Sequence, residues 1–283
     1  MKIIGISFSP RKVGNCEIAI KEIANHFEEK VDFEFIRIYD YNIKPCIACY
    51  KCLFSQEGKC SIEDDFFKVF EKIIDADGLI FAVPSYFLGP NSSFKVFIDR
   101  FLISYAFFDK IYDKPVILLT IAGVENGGEG YTDLALKSTA KVLGFKVIGS
   151  EILYSALPGE VLLKEENKVK LKKLAKLFFN SLKENEKEEK IKCNICGSNY
   201  FEFLDNGYVK CLVCKNRGRL VIEDNKFNIY IEEGELFFGS KEAKLKHKEW
   251  LKNMKERFMN ERNKLMEIIK KYKWFYILML LMV

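Results

Sequence analysis

Histidine is almost missing from this chain. His26 and His247 are the only two in 283 residues. Both fall in polar stretches of helical pattern, so chemistry built on imidazole is not the organising theme. There are only six prolines and two tryptophans. Neither G-x-G-x-x-G nor G-x-x-x-x-G-K-[ST] occurs, which removes the dinucleotide fingerprint and the triphosphate loop. No leader peptide is expected, because Met1 and Lys2 run straight into a strand-like segment. No apolar run approaches the roughly twenty residues that span a bilayer. Net charge is only +5 and unevenly placed: residues 241–273 hold twelve Lys or Arg against five Glu, or +7, leaving −2 elsewhere. A global nucleic-acid-binding reading is therefore unsupported. With 49 % apolar and 30 % charged residues, the chain reads as globular and long enough for one full domain with appendages.

Cysteine is where the chain is rich. Eight of its nine cysteines form two tetrads, which in a reducing cytoplasm point to metal sites rather than disulfides. Cys46, Cys49, Cys52 and Cys60 are spaced C-x2-C-x2-C-x7-C. Three thiols at i, i+3 and i+6 can converge from one compact loop, and the seven-residue arm lets the fourth fold back. That is a ligand set for a [4Fe–4S] cluster. The same sulfurs could instead hold a zinc ion, form a redox disulfide or stay unligated. Cys193, Cys196, Cys211 and Cys214 form C-x2-C-x14-C-x2-C, close to the separation of a two-knuckle zinc site. Structural zinc is the expected occupant there, with rubredoxin-like iron or free thiols as alternatives.

Apolar, β-branched segments at 2–8, 32–38, 78–83, 115–121 and 145–154 alternate with helical patterns near 16–27, 66–74, 92–108, 131–143 and 164–184. Such alternation implies a doubly wound parallel sheet of five strands. Right-handed crossovers then bring the loops that begin at Ser9, Pro84 and Ala122 to one edge, forming one pocket. The first loop is polar, basic and glycine-bearing, with Ser9, Arg11 and Lys12 before a helix start, as an anionic phosphate requires. An ordinary strand–helix turn would look similar. The second loop carries Tyr86 and Phe87 between Pro84 and Pro90, and the third is glycine-rich. Either could face a flat ring or simply be well packed. Asp64 and Asp65 are expected to cap a helix, and Asp99 and Arg100 to be structural partners.

Ser9-Pro10-Arg11-Lys12-Val13-Gly14-Asn15-Cys16 resembles the S-P-R-K-x-G-N-T phosphate loop of the flavodoxin-like NADPH-dependent FMN reductases. Pro84, Ser85, Tyr86 and Phe87 are similar to that family's P-x-Y-[FW] loop, and Phe94-Lys95 with Asp99-Arg100 to its K-x-x-x-D-R helix. The tetrad at 46, 49, 52 and 60 resembles the compact cysteine motif of the iron–sulfur flavoprotein branch. The resemblance covers about residues 1–180. It implies one FMN per subunit, a [4Fe–4S] cluster exchanging electrons with it, and dimers or tetramers. It assigns Ser9, Arg11, Asn15 and Cys16 to the phosphate. It assigns Pro84, Ser85, Tyr86 and Phe87 to the ribityl and isoalloxazine, and Ala122 and Gly123 to the far side of the ring. Cys16 stands where Thr is usual, and Ala48 where Gly is frequent between the first two cysteines.

The flavodoxin-like domain is expected over 1–184, followed by a charged linker at 183–190. A zinc-ribbon-like module is expected over 191–235, and a basic amphipathic helix with an apolar tail over 239–283. Tyr200 to Leu204 and Tyr208 to Lys210, around Asp205-Asn206-Gly207, read as a hairpin, with strands at 219–222 and 227–231. The helix at 240–273 carries Leu245, Leu251, Met254, Phe258, Leu265, Ile269 and Tyr272 near one stripe, interrupted by Arg262. The ten apolar residues from Trp274 to Val283 fit either an anionic membrane surface or burial in an oligomer interface or against the core. The ribbon lacks a basic-aromatic surface, which weighs against nucleic acid.

The function expected is a cytoplasmic, or membrane-associated, iron–sulfur flavoprotein. It would pass electrons from a ferredoxin-like donor through the cluster to FMN, with no catalytic side chain, because the cofactors carry the redox chemistry. The alternatives are an NAD(P)H-dependent FMN or quinone reductase without a cluster, and a redox-sensing adaptor using the ribbon and tail.

Overall fold

A computed structural model describes the chain except for residues 56, 180–190, 224–225, 235–238 and 282–283, and except for the side chains of 271 and 273–281. The expected linker at 183–190 lies outside the described residues.

Five strands form a parallel sheet: β1 (Lys2–Ser7), β2 (Asp32–Arg37), β3 (Gly78–Tyr86), β5 (Pro115–Ala122) and β6 (Lys146–Tyr154). Their order is β2-β1-β3-β5-β6, the flavodoxin order. A two-residue strand, β4 (Gly89–Pro90), adds an antiparallel pairing at the end of β3 that the sequence did not suggest. The central strands are apolar runs because both faces are covered. Ile4, Ile6, Leu79, Phe81, Val83 and Leu118 face one layer, while Ile3, Ile80, Ala82, Ile117 and Leu119 face the other.

The first layer is closed by α3 (Phe66–Asp75), α4 (Ser92–Ile98) and α6 (Thr132–Leu143). The second is closed by α1 (Asn15–Asn25) and α7 (Glu165–Lys176). Burial of each large side chain on α3, such as Phe66, Phe70 or Ile73, stabilises by about 1.5–3 kcal/mol. The helix expected over 92–108 is broken. α4 ends at Ile98, a 3-10 turn covers Phe101–Ala106, and α5 covers only Phe108–Ile111. The break lets Ile103, Ala106 and Phe107 close around Gly58, where a β-carbon would meet Phe107 at 2.7 Å.

A second, antiparallel sheet of order β10-β9-β8-β7 follows: β7 (Phe201–Phe203), β8 (Tyr208–Cys211), β9 (Arg217–Glu223) and β10 (Lys226–Ile231). Tyr200 Oη donates to Asp133 on α6 at 2.7 Å, and Leu134 packs against the small core, so this sheet rests on α6. Last comes α8 (Lys241–Leu281), longer than the expected 240–273. Among the described residues no helix is long and apolar enough to cross a membrane.

Candidate functional site

The phosphate-type loop leaves β1 at Phe8, whose carbonyl accepts from Asn91 Nδ2 (2.5 Å) and Ser93 Oγ (2.9 Å). Ser9 is buried, and its hydroxyl accepts the Arg11 N–H at 3.2 Å. Arg37, paired with Asp40, donates to the Pro10 carbonyl at 3.1 Å and holds the loop from behind. Arg11 Nη1 reaches the Ala156 carbonyl at 3.2 Å. Asn15 and Cys16 turn their side chains inward. The Asn15 amide donates to the Ser155 and Leu157 carbonyls (3.3 and 2.9 Å) and accepts from Val161 N–H at 3.4 Å. The Cys16 thiol sits in the core, and burial pushes it well above its usual range. What these two residues offer outward is backbone N–H in the first turn of α1, where no intrahelical acceptor exists. Ser155 Oγ, at the end of β6, is buried without a partner among the described residues.

The other two loops are tied to one another. Ser85 Oγ donates to the Gly128 and Glu129 carbonyls at 2.9 and 3.1 Å, and Tyr131 N–H donates to the Leu88 carbonyl at 2.8 Å. A β-carbon on Gly130 would lie 2.0 Å from the Leu88 carbonyl oxygen, so only glycine allows this approach. Phe87 and Leu88 hold left-handed backbone conformations, φ 49° and 63°. Phe87 is fully exposed, and Tyr86, Leu88 and Val124 are exposed around it. A large aromatic held into solvent by strained backbone is a surface that a flat ring would cover. Ala122 closes β5, and its carbonyl accepts from Ser155 N–H at 2.7 Å. Gly123 follows, with Ala156 as its nearest neighbour. Ser85 thus braces the loops, while Tyr86 and Phe87 stay exposed beside them.

The cysteine loop starts beyond the C-terminal end of β2. Cys46, Cys49, Cys52 and Cys60 all line one cavity of about 420 Å3, together with Arg100, His247 and Leu251. Ala48 and Tyr50 are both left-handed, φ 52° and 58°, winding the chain between successive cysteines before the short helix α2 (Lys51–Phe54). Burial, reinforced by the neighbouring cysteines, pushes the Cys52 thiol up to about 11. The Ser61 hydroxyl, 3.2 Å from Cys49 Sγ, draws that thiol down. A cationic group bound between the sulfurs would relieve the opposition to ionisation at Cys52. Among the described residues these four sulfurs do not gather within 4.8 Å of one another as those of the second tetrad do.

The second tetrad does gather that tightly. The sulfurs of Cys193, Cys196, Cys211 and Cys214 all lie within 4.8 Å of one another, with Cys193–Cys214 at 3.7 Å and Cys196–Cys211 at 3.5 Å. A tetrahedral zinc with sulfurs at about 2.3 Å needs edges of about 3.8 Å, so the donors fit one ion. The two halves match. Gly197 N–H donates to the Cys193 carbonyl and Lys215 N–H to the Cys211 carbonyl, with both donors left-handed. Asn216 Nδ2 points at Cys214 Sγ from 3.6 Å. Hydrogen bonding from Cys196 draws the Cys193 thiol below its usual range.

Residue patterns missed several supporting groups. The contacts by which Asn91 and Arg37 hold the first loop carry no local signal, because the Phe8 and Pro10 carbonyls lie 83 and 27 positions away. Asp99 does not pair with Arg100; it pairs with Lys95. Arg100 instead binds Asp64 at 2.6 Å, so Asp64 is more than a helix cap, although it also accepts the Phe66 N–H at 3.1 Å.

Residues 1–157 match the NADPH-dependent FMN reductase family. An iron-sulfur flavoprotein of Methanocaldococcus jannaschii is 43 % identical over 101 residues, 35 % of this chain and 51 % of that protein. An iron-sulfur flavoprotein of Methanosarcina thermophila is 33 % identical over 152 residues, 53 % of this chain and 78 % of that protein. The chain therefore spans about half the length of the first relative and over three-quarters of the second. A solved flavone reductase has the same fold, with TM-score 0.72 at 21 % identity over 97 % of this chain and 98 % of that one. The matched family, the iron-sulfur flavoprotein relatives and the cysteine-lined cavity together place this chain in the NADPH-dependent FMN reductase family of flavin oxidoreductases, among its iron–sulfur flavoproteins.

Proposed function

We propose that the chain passes electrons from a ferredoxin-like donor through a [4Fe–4S] cluster on Cys46, Cys49, Cys52 and Cys60 to FMN, and on to a small acceptor. The observation that carries this reading is the single cavity lined by all four cysteines of one loop. When bound, the cluster supplies one-electron steps and FMN supplies both one- and two-electron steps. The side chains bind and orient. Backbone N–H groups at 15–17, with Ser9 and Arg11, serve the phosphate. Pro84, Ser85, Tyr86 and Phe87, with Ala122 and Gly123, would hold the ribityl chain and the ring. Cys193, Cys196, Cys211 and Cys214 would hold zinc as a closed structural site, with no open position for catalysis. A homodimer or homotetramer, and an anionic membrane surface meeting the basic helix and its tail, belong to the same proposal.

A second reading follows from the family match: an NAD(P)H-dependent FMN or quinone reductase without a cluster, whose cysteines are structural. Metal and flavin analysis of protein purified without oxygen separates the two. The first reading expects about four iron, one zinc and one FMN per chain. It also expects Cys49→Ala to lose the cluster absorbance while keeping FMN. Zinc and FMN without iron in the unaltered chain would favour the second.

A further inference from the structure

Arg100 is the guanidinium that reaches the cysteine loop. Its side chain is 2 % exposed and paired with an Asp64 side chain that is 1 % exposed, with Nη1 to Oδ2 at 2.6 Å and Nη2 to Oδ1 at 3.3 Å. Nη1 also donates to the Lys44 carbonyl at 2.9 Å, and the guanidinium carbon lies 4.7 Å from the centre of the Phe66 ring. The fork does not stop at the carboxylate. Nη2 points at Cys60 Sγ from 3.4 Å. Cys60 and Arg100 line both the cysteine cavity and a neighbouring one of about 340 Å3.

A buried ion pair is costly to desolvate and contributes little net stability, so its placement against a sulfur calls for another explanation. A donor and a positive charge at a ligating sulfur stabilise the extra negative charge that a cluster carries once reduced. A carboxylate beside that donor opposes the effect. We propose that Arg100 is a positioning residue that raises the reduction potential of a cluster held through Cys60, and that Asp64 restrains it. The inference rests on the cluster reading proposed above. It concerns a one-electron reduction in which the electron comes from the external donor and no proton or leaving group moves.

The two partners therefore have opposite effects. Arg100→Met removes the cation and leaves Asp64 negative, so the midpoint becomes more negative. Asp64→Asn leaves the cation uncompensated, its one amide oxygen keeping one of the two N–H groups of Lys44 and Phe66 that the two carboxylate oxygens accept, so the midpoint becomes more positive. Arg100→Lys keeps the charge without the fork and falls between Arg100→Met and the unaltered chain. The test is an anaerobic redox titration of the full chain, followed by electron paramagnetic resonance, with iron and acid-labile sulfide measured in each variant. Opposite shifts in Arg100→Met and Asp64→Asn at unaltered iron content support the inference. If Arg100→Met loses the cluster, Arg100→Lys and Asp64→Asn must still move in opposite directions. Midpoints that stay put, or that move the same way in iron-loaded variants, overturn the inference alone. Absence of iron from the unaltered chain overturns the cluster reading and this inference with it.

Discussion

Ala48 occupies a left-handed conformation, φ 52°, between the first two cysteines. A β-carbon there costs about 1–2 kcal/mol relative to glycine, and glycine in turn gives back part of that through its freer unfolded chain. Ala48→Gly should therefore raise the stability of the folded chain by about 0.5–1 kcal/mol, measured as a shift in the denaturant midpoint at constant slope. A loss of stability would mean that the Ala48 methyl makes packing contacts worth more than the backbone strain. The conformation also explains why a glycine at this position is the more usual choice. A sequence shows an alanine where glycine is frequent, but not the dihedral angle that makes the difference matter. Arg100 teaches the same point at longer range. Its neighbour Asp99 suggested a local pair, whereas its true partner lies 36 positions earlier.

Among elements, legibility followed local signal. β1, β3 and β5 are continuous apolar runs because layers cover both faces, so they could be read directly. The hairpin around Asp205-Asn206-Gly207 was equally plain, with Asn206 left-handed at its turn. The break after Ile98 was not, since Ser92 to Phe108 is helical in pattern and the close approach of Gly58 to Ile103, Ala106 and Phe107 comes from a distant loop. The small sheet offers an element-scale test. Its core is the second tetrad with Val209, Val213, Ile229 and Ile231, too small to order itself without an ion. Its anchor is the Tyr200 hydroxyl on Asp133, which is 2 % exposed and also bonded to Ser150 (2.8 Å) and Lys137 (2.6 Å). Cys196→Ser should lose the zinc proposed there and become open to limited proteolysis between 191 and 234, while FMN and iron contents stay as they were. Concurrent loss of iron would show that the two cysteine sites are not independent. Tyr200→Phe should keep zinc and lose about 1.5–3 kcal/mol of docking, the range for a hydrogen bond to a charged group.

Across the whole molecule, α8 turns out to be attached by its lysines. Lys244 Nζ donates to the Lys141 and Val142 carbonyls at the end of α6 (2.8 and 3.0 Å), and Lys248 Nζ to the Tyr105 carbonyl at 2.8 Å. Lys241 pairs with Asp109 at 2.7 Å, and Lys255 lies over the Phe54 ring of α2 at 5.6 Å. The +7 counted along residues 241–273 therefore overstates the charge free for a partner, because several of those ammonium groups are spent on carbonyl ends and one carboxylate. Their spacing places His247 and Leu251 in the wall of the cysteine cavity, almost two hundred positions from the cysteines they cover. No stripe or motif could announce that contact, since it depends on where the lysines find acceptors. In the proposed electron-transfer site α8 would narrow the approach of water and dissolved oxygen from its own side of the cavity, while Cys46 and Cys49 stay exposed on the other. Leu251→Glu would place a carboxylate in that wall without touching a cysteine or a flavin loop. The expected outcome is several-fold faster loss of the cluster absorbance in air, with unaltered FMN content and unaltered iron content as isolated without oxygen. Decay at the unaltered rate would mean that α8 covers the cavity without protecting it, and that oxidant enters beside Arg100 through the neighbouring cavity instead.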